Sequence, residues 1–319
     1  MTSKIANKMT FLCVCILIGL LLVILMYDQP ENGNQINPVI EQSYRLVYTL
    51  DLNSSYSGQI NLNWTIPENK TNFQTVNLLN LTTPPSWMEI DENGNEIAHF
   101  SINLTSNKNF EISMTARITV NNTKWASSTE PIKYDTNSAI FKSYTQPETF
   151  IESDNPYIVD VARNITQSYS DPLNSSQAIC KWVYENMKPS NFSETPHGAI
   201  WALENRTGDC SEYAFLFVAL CRASHIPATF VDGITTRNID TTSWGNQNWT
   251  NIGHDWAEVY LPSQGWVWVD PTSNDYGCSD GQHIALQVGQ YCESLNGNYR
   301  YSYIGNVKIT ERFEIYIQG

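Results

Sequence analysis

Cys210, His254 and Asp270 occur in the order and the local settings that a thiol nucleophile, its base and an orienting acid require. Cys210 lies in Thr207-Gly208-Asp209-Cys210-Ser211-Glu212-Tyr213-Ala214, a glycine turn running into an apolar helix. His254 opens His254-Asp255-Trp256-Ala257-Glu258-Val259-Tyr260, which alternates as a strand does. Asp270 closes the next strand, Gly265-Trp266-Val267-Trp268-Val269-Asp270. A thiol with an unperturbed pKa of about 8.5 is mostly protonated at neutral pH, and only the thiolate attacks. A helix N-terminus favours that anion through the positive end of its dipole. A nearby imidazole takes the proton, and a carboxylate on the far ring nitrogen fixes the tautomer and supports the imidazolium. Backbone N–H groups of the first helical turn, that of Cys210 included, are placed to donate to an oxyanion.

These groups need three neighbouring elements to hold them. The helix from Cys210 is apolar on nearly every side, which predicts a central, buried position with its N-terminus opening into a cleft. Pro227 starts a strand over Ala228 to Val231. Trp256 to Leu261 and Trp266 to Asp270 form a hairpin through Pro262-Ser263-Gln264-Gly265, which brings His254 and Asp270 to one sheet end. Ser153 or Asp154 caps a helix through about Tyr169 with Pro156 in its first turn. Asn174-Ser175-Ser176 caps another that carries Ile179, Trp182 and Val183 at helical spacing. A short helix over Gly198 to Glu204 precedes the cysteine turn. Thr235 to Gly253 reads as a polar loop with Trp244 and Trp249, placed to border a substrate groove or to remain a surface loop.

Taken in order, these segments resemble the transglutaminase-like superfamily, a branch of the papain-like thiol enzymes. The matching pieces are Gly208 to Ala214, then Ala219-Leu220-Cys221-Arg222-Ala223-Ser224-His225-Ile226-Pro227-Ala228, then His254 to Tyr260 and Gly265 to Thr272. His283-Ile284-Ala285-Leu286-Gln287-Val288-Gly289-Gln290 looks like the strand that follows the acid. The resemblance covers roughly Glu148 to Gly289. It implies an α+β fold with a papain-like core, helices packed on an antiparallel sheet. It also implies Cys210 as nucleophile, His254 as base and Asp270 as orienting acid, with no cofactor. The superfamily includes protein cross-linkers, peptidases and amidases, so the implied chemistry is acyl transfer from an amide to water or to an amine. Hydrolysis or cell-envelope peptide processing is the favoured branch, because no amine-binding feature is visible. An inert domain within a surface binding or adhesion protein is the alternative. His99, His197, His225 and His283 lack a comparable setting and read as structural or surface groups.

Upstream, alternating stretches over Arg45–Leu52, Gly58–Trp64, Phe73–Leu79, Ile97–Leu104 and Phe110–Val120 predict a small antiparallel sandwich. The domain reading is a cytoplasmic tail over 1–10, a membrane anchor over 11–27, a linker over 28–43, the sandwich over 44–145 and a catalytic domain with closing strands over 146–319. Phe11 to Tyr27 is an uninterrupted apolar run approaching the roughly 20 residues that span a bilayer. Lys4 and Lys8 precede it, and Asp28 and Glu31 follow, which exports the remainder. A cleaved signal peptide is the competing reading.

The chain has 319 residues, and 18 Lys and Arg against 32 Asp and Glu give a formal net charge of −14. That balance argues against a nucleic-acid partner. Acceptor sequences for N-glycosylation at Asn53, Asn63, Asn69, Asn80, Asn103, Asn121, Asn164, Asn174, Asn191, Asn205 and Asn248 agree with export. Of 7 cysteines, Cys13 and Cys15 lie in the apolar run. Cys278 and Cys292 bracket a short excursion and are expected to bridge, and a bridge between Cys180 and Cys221 would tie two helices together. No spacing typical of a structural zinc site is present, and no ligand cluster for calcium is evident. The substrate expected is a protein or cell-envelope peptide.

Overall fold

Strict alternation in the first described strand sets the layering of the molecule. The structure, a computed structural model, describes residues 41–69, 73–125, 133–193, 195–237, 239, 252–289 and 299–318. In β1 (Glu41–Ser54), Tyr44, Leu46, Tyr48, Leu50 and Leu52 are buried. β2 (Gly58–Thr65), β3 (Gln74–Leu81), β4 (Trp87–Ile90), β5 (Glu96–Leu104) and β6 (Asn109–Asn121) follow. β5 and β6 bury every second residue, the pattern of strands with one core face. The short β4 is an addition to the five predicted strands, and its four residues are exposed, so it carries no apolar alternation. The apolar run 11–27, Cys13, Cys15, Cys292, Trp244 and Trp249 lie outside the described residues. Among the described residues no helix is long and apolar enough to cross a membrane.

The helices start where side chains cap them. α1 (Ala139–Tyr144) begins with Ser138 accepting from the Phe141 N–H. α2 (Pro156–Thr166) and α3 (Pro172–Asn186) each place proline at the first position, with Asn155 and Asp171 accepting from backbone N–H groups. The caps expected at Ser153 or Asp154 and at Asn174 to Ser176 are therefore displaced, because the residue before each proline already has the extended backbone a cap needs. β7 (Lys188–Pro189) pairs in parallel with β8 (Thr207–Gly208), on either side of α4 (Ala199–Asn205). α5 (Cys210–Ala223) buries every residue from Ser211 to Arg222. Buried Arg222 donates through Nε to the Ala228 carbonyl at 2.9 Å, and through Nη1 to the Gln146 carbonyl at 2.7 Å and Glu148 Oε1 at 2.8 Å.

A five-stranded antiparallel sheet receives this helix. β9 (Ala228–Thr235), β10 (Gly253–Leu261), β11 (Gly265–Asp270), β12 (Asp275–Tyr276) and β13 (His283–Val288) run in the order β12-β11-β10-β9-β13. Phe230, Ala257, Val259, Val267 and Val269 pack in one cluster with α5. From the opposite face, Val231, Trp256, Trp268, Ala285 and Val288 cluster with Phe73, and at the far end of β9 and β13, Ile234, Ile284 and Leu286 join the sandwich core. Both faces are buried, which explains why these strands are nearly continuous apolar runs. Gly233 is required by this packing, since a Cβ there would lie 2.4 Å from the Ile284 carbonyl oxygen and from the Trp256 ring.

The closing strands pair with the strands at the start of the described chain. β14 (Tyr299–Ser302) pairs with β2, and β15 (Val307–Gln318) pairs with β1 from Ser43 opposite Gln318 to Ser54 opposite Val307. They complete the two sheets β15-β1-β6-β3 and β14-β2-β5-β4 and belong to the sandwich. Phe313 and Ile315 point into its core, which fixes the assignment, and 40–319 form one compact unit. The bridge considered between Cys180 and Cys221 is absent: both are free, buried thiols in the helical core, where each packs as a small apolar group. Cys278 is likewise a free thiol, and its expected partner Cys292 lies outside the described residues.

Candidate active site

Cys210 is the first residue of α5, and the turn before it is built from hydrogen bonds. Asp209 caps the helix, its Oδ1 accepting from the Ser211 N–H at 3.0 Å and its Oδ2 from the Ser193 N–H at 2.9 Å. Glu212 reaches back, accepting from the Asp209 N–H at 2.8 Å and the His197 N–H at 2.7 Å. This is a capping box. It uses the Ser211 and Glu212 N–H groups, so the Cys210 N–H is the first-turn donor that remains to face a developing oxyanion. The need for glycine at 208 is steric, since a Cβ there would sit 2.4 Å from Glu212 Cβ.

The strand that carries His254 docks against this helix start. Ser211 Oγ donates to Asp255 Oδ2 at 2.6 Å. The neighbour of each presumed reactive group is thereby bonded to the other element. His254 Nε2 and Asp270 Oδ2 are 3.0 Å apart across the β10–β11 hairpin. Asp270 is almost fully buried and accepts further from the Thr272 N–H at 2.9 Å, Thr272 Oγ1 at 2.5 Å and Ser273 Oγ at 3.0 Å. These donors set both carboxylate oxygens.

Electrostatics sorts the groups. Burial by itself would push the His254 imidazole down, but the hydrogen bond and charge of Asp270 outweigh it and raise its pKa. Burial likewise acts to raise Asp270, and the His254 hydrogen bond and charge carry it far below the usual carboxylate range. Cys210 keeps a partly exposed surface, yet burial of its sulfur pushes the thiol well up. The negative charges of Asp255 and Asp209 add to that, while the Asp255 N–H opposes it. These causes oppose the helix dipole expected to favour a thiolate. Asp255, buried beside Asp232, is raised by burial to about 6 even though Ser211 donates to it.

Two groups beside Asp270 escaped the sequence reading. Arg237 donates to Asp280 Oδ2 at 2.6 Å and Asp275 Oδ2 at 2.9 Å, with Nη1 3.9 Å from Asp270 Oδ2. His283, read as a structural or surface residue, opens β13 with its ring buried and Nε2 3.8 Å from Asp270 Oδ2. The spacing Asp280-x-x-His283, closing on the strand beside β9, is the signal that pointed there. Trp182 lies under the Arg206 guanidinium at 4.5 Å, and Trp201 stacks on His197 at 4.0 Å.

The cysteine turn, helix and histidine–aspartate hairpin fall in a segment with recognisable relatives. Residues 159–271 match the Transglutaminase-like superfamily. A crystal structure from Cytophaga hutchinsonii, proposed to be a cysteine protease, superposes with a TM-score of 0.64 at 17% identity, covering 88% of this chain and 91% of that one. This likeness extends the shared fold beyond the transglutaminase-like core to the sandwich. The periplasmic domain of TgpA from Pseudomonas aeruginosa aligns over 72% of this chain and 88% of its own, at 13% identity and a TM-score of 0.40. The uncharacterized protein YebA of Bacillus subtilis is 37% identical over 75 residues, 22% of this chain. The chain spans about a tenth of the length of that curated relative.

Proposed function

We propose that the protein is a thiol enzyme that cleaves amide bonds through a thioester, with Cys210 as nucleophile, His254 as base and Asp270 as the acid that orients it. The observation that carries this reading is the 3.0 Å contact of His254 Nε2 with buried Asp270 at the strand end where α5 docks. With Nε2 committed to Asp270, Nδ1 is the nitrogen that accepts the Cys210 proton. The resulting thiolate attacks the carbonyl carbon, and the oxyanion forms beside the Cys210 N–H. The imidazolium then protonates the departing nitrogen, the amine leaves and the thioester remains. Water releases the acid, or a second amine gives a new amide. Asp270 stays ionised throughout, consistent with its depressed pKa.

Hydrolysis of protein or cell-envelope peptides is the branch we favour, with the enzymatic unit outside the cytoplasm and tethered through 11–27. The Lys4 and Lys8 flank before the apolar run, with Asp28 and Glu31 after it, supports this placement. The test is to incubate the full-length chain with envelope peptides and a labelled amine and to weigh the products. Hydrolysed peptide, lost in Cys210→Ala and retained in Cys221→Ala, is the expected result. Products unchanged in Cys210→Ala overturn the assignment, and incorporation of label at the expense of hydrolysis shifts it to cross-linking.

A further inference from the structure

We infer that His254 Nε2, Asp270 Oδ2 and His283 Nε2 form a site for a zinc-type divalent cation, and that its occupancy withdraws His254 from proton transfer. The second half rests on the role proposed above for His254; the first does not. One ligand atom from each of the three residues lies within 4.8 Å of the others. A tetrahedral zinc ion with bonds of about 2.1 Å sets its ligand atoms roughly 3.4 Å apart. The observed 3.0 Å from His254 to Asp270 and 3.8 Å from His283 to Asp270 straddle that value. Two imidazoles and one carboxylate are the donor set that zinc accepts with a further position open.

His283 is the group that makes this more than proximity. Its Nδ1 lies 2.9 Å from Asp280 Oδ1, an acceptor, so the neutral ring carries its proton on Nδ1. Nε2 then presents a lone pair toward Asp270, is buried, and makes no hydrogen bond. A buried lone pair facing a carboxylate oxygen is unfavourable unless a cation lies between them. The carboxylate behind the ring is also the arrangement that orients metal-binding histidines and raises their basicity. The Trp256 and Trp268 rings stand edge-on to His283 at 5.2 and 4.9 Å and hold its plane. Charge agrees with the geometry. Arg237 meets Asp270, Asp275 and Asp280, so three carboxylates face one guanidinium and two negative charges stay uncompensated within this group.

Binding has a defined proton balance. For Nε2 of His254 to coordinate, the neutral ring must shift its proton to Nδ1, or the imidazolium must release its Nε2 proton to solvent and keep the one on Nδ1; either way the hydrogen bond to Asp270 is replaced by two bonds to the cation. The imidazole then has no free basic nitrogen for Cys210.

The test is a zinc chloride titration by calorimetry on the full-length chain carrying Cys210→Ala, which removes the thiolate as a rival ligand. One equivalent is expected to bind, with affinity lost in His283→Asn and in His254→Gln on the same background. Asp280→Asn, which keeps the ring but removes its orienting carboxylate, is expected to weaken binding about 10- to 100-fold. Circular dichroism and melting of each variant separate a lost ligand from a lost fold. No uptake by Cys210→Ala, or affinity unchanged in folded His283→Asn or in Asp280→Asn, overturns the site. The titration reads no turnover, so an inactive enzyme does not affect it, and a failed titration leaves the amide chemistry standing.

Discussion

Ser211 and Asp255 are joined by a 2.6 Å hydrogen bond between the start of a helix and the central strand of a sheet. Each is the next residue along from a member of the proposed triad, so this one contact sets the approach of Cys210 to His254. Ser211→Ala leaves a buried carboxyl without its donor. The expected cost is about 1–3 kcal/mol in denaturant-measured stability. Turnover is expected to fall further, by roughly 100-fold, as an ångström of misalignment at the reacting groups does. A variant with the stability loss and unaltered turnover would show that the contact is structural alone.

Because burial pushes the Cys210 thiol up, its proposed reactivity depends on proton transfer to His254. Alkylation by iodoacetamide at neutral pH, mapped by mass spectrometry, should therefore label Cys210 ahead of buried Cys180 and Cys221. His254→Gln should slow that labelling by at least about 100-fold, the usual scale of a positioned base. Equal rates in the parent and the variant would place the imidazole outside the reaction.

Asp270→Asn preserves shape and leaves the imidazole without its charged partner. Turnover should drop by roughly 10³- to 10⁴-fold while substrate binding changes little, since the loss falls on the imidazolium formed during the reaction. A fall confined to KM would contradict an orienting role.

Glu212 offers a pH signature separate from the chemistry. Burial is the main cause that raises its pKa from 4.5 to about 7, against the His197 and Asp209 N–H groups that favour the anion. The folded chain therefore holds this proton where the unfolded chain has released it. The stabilisation is complete below about pH 4.5 and is lost as pH rises to about 7. Its contribution to the pH dependence is on the order of 3 kcal/mol. Glu212→Gln should flatten the stability curve over that interval, as read by urea denaturation at successive pH values.

Gly208→Ala tests the turn sterically. The added methyl would lie 2.4 Å from Glu212 Cβ, a position fixed by the capping box. A loss of about 1–3 kcal/mol and slower Cys210 alkylation are expected. Normal stability with normal labelling would mean that the helix start can shift freely.

The elements around the site were legible because each carries a strong local signal. Proline with a preceding Asx residue marks α2 and α3, unbroken apolar character marks α5, and alternation marks the hairpin that unites His254 and Asp270. What escaped was set by long-range pairing. Nothing local in Val307 to Gln318 says that β15 bonds to β1 rather than to the nearer β13, and the partner is chosen by the register of the whole sheet. His283 shows locally only its spacing from Asp280, and its ring meets Asp270 only when β13 lies beside β9. The upward push on the Cys210 thiol was hidden for a similar reason: the acids that add to it, Asp209 in the helix turn and Asp255 on β10, are brought together by folding.

The pairing of β1 with β15 also governs when the molecule can take shape. During synthesis the first described strand emerges with one flank open, and its partner for that flank is made only after the segment carrying Cys210, His254 and Asp270 has passed. Such distant partners slow folding and expose an unfinished edge to neighbours. A nascent chain arrested before residue 307 should remain protease-sensitive throughout its leading strands, and release of the finished chain should protect them together.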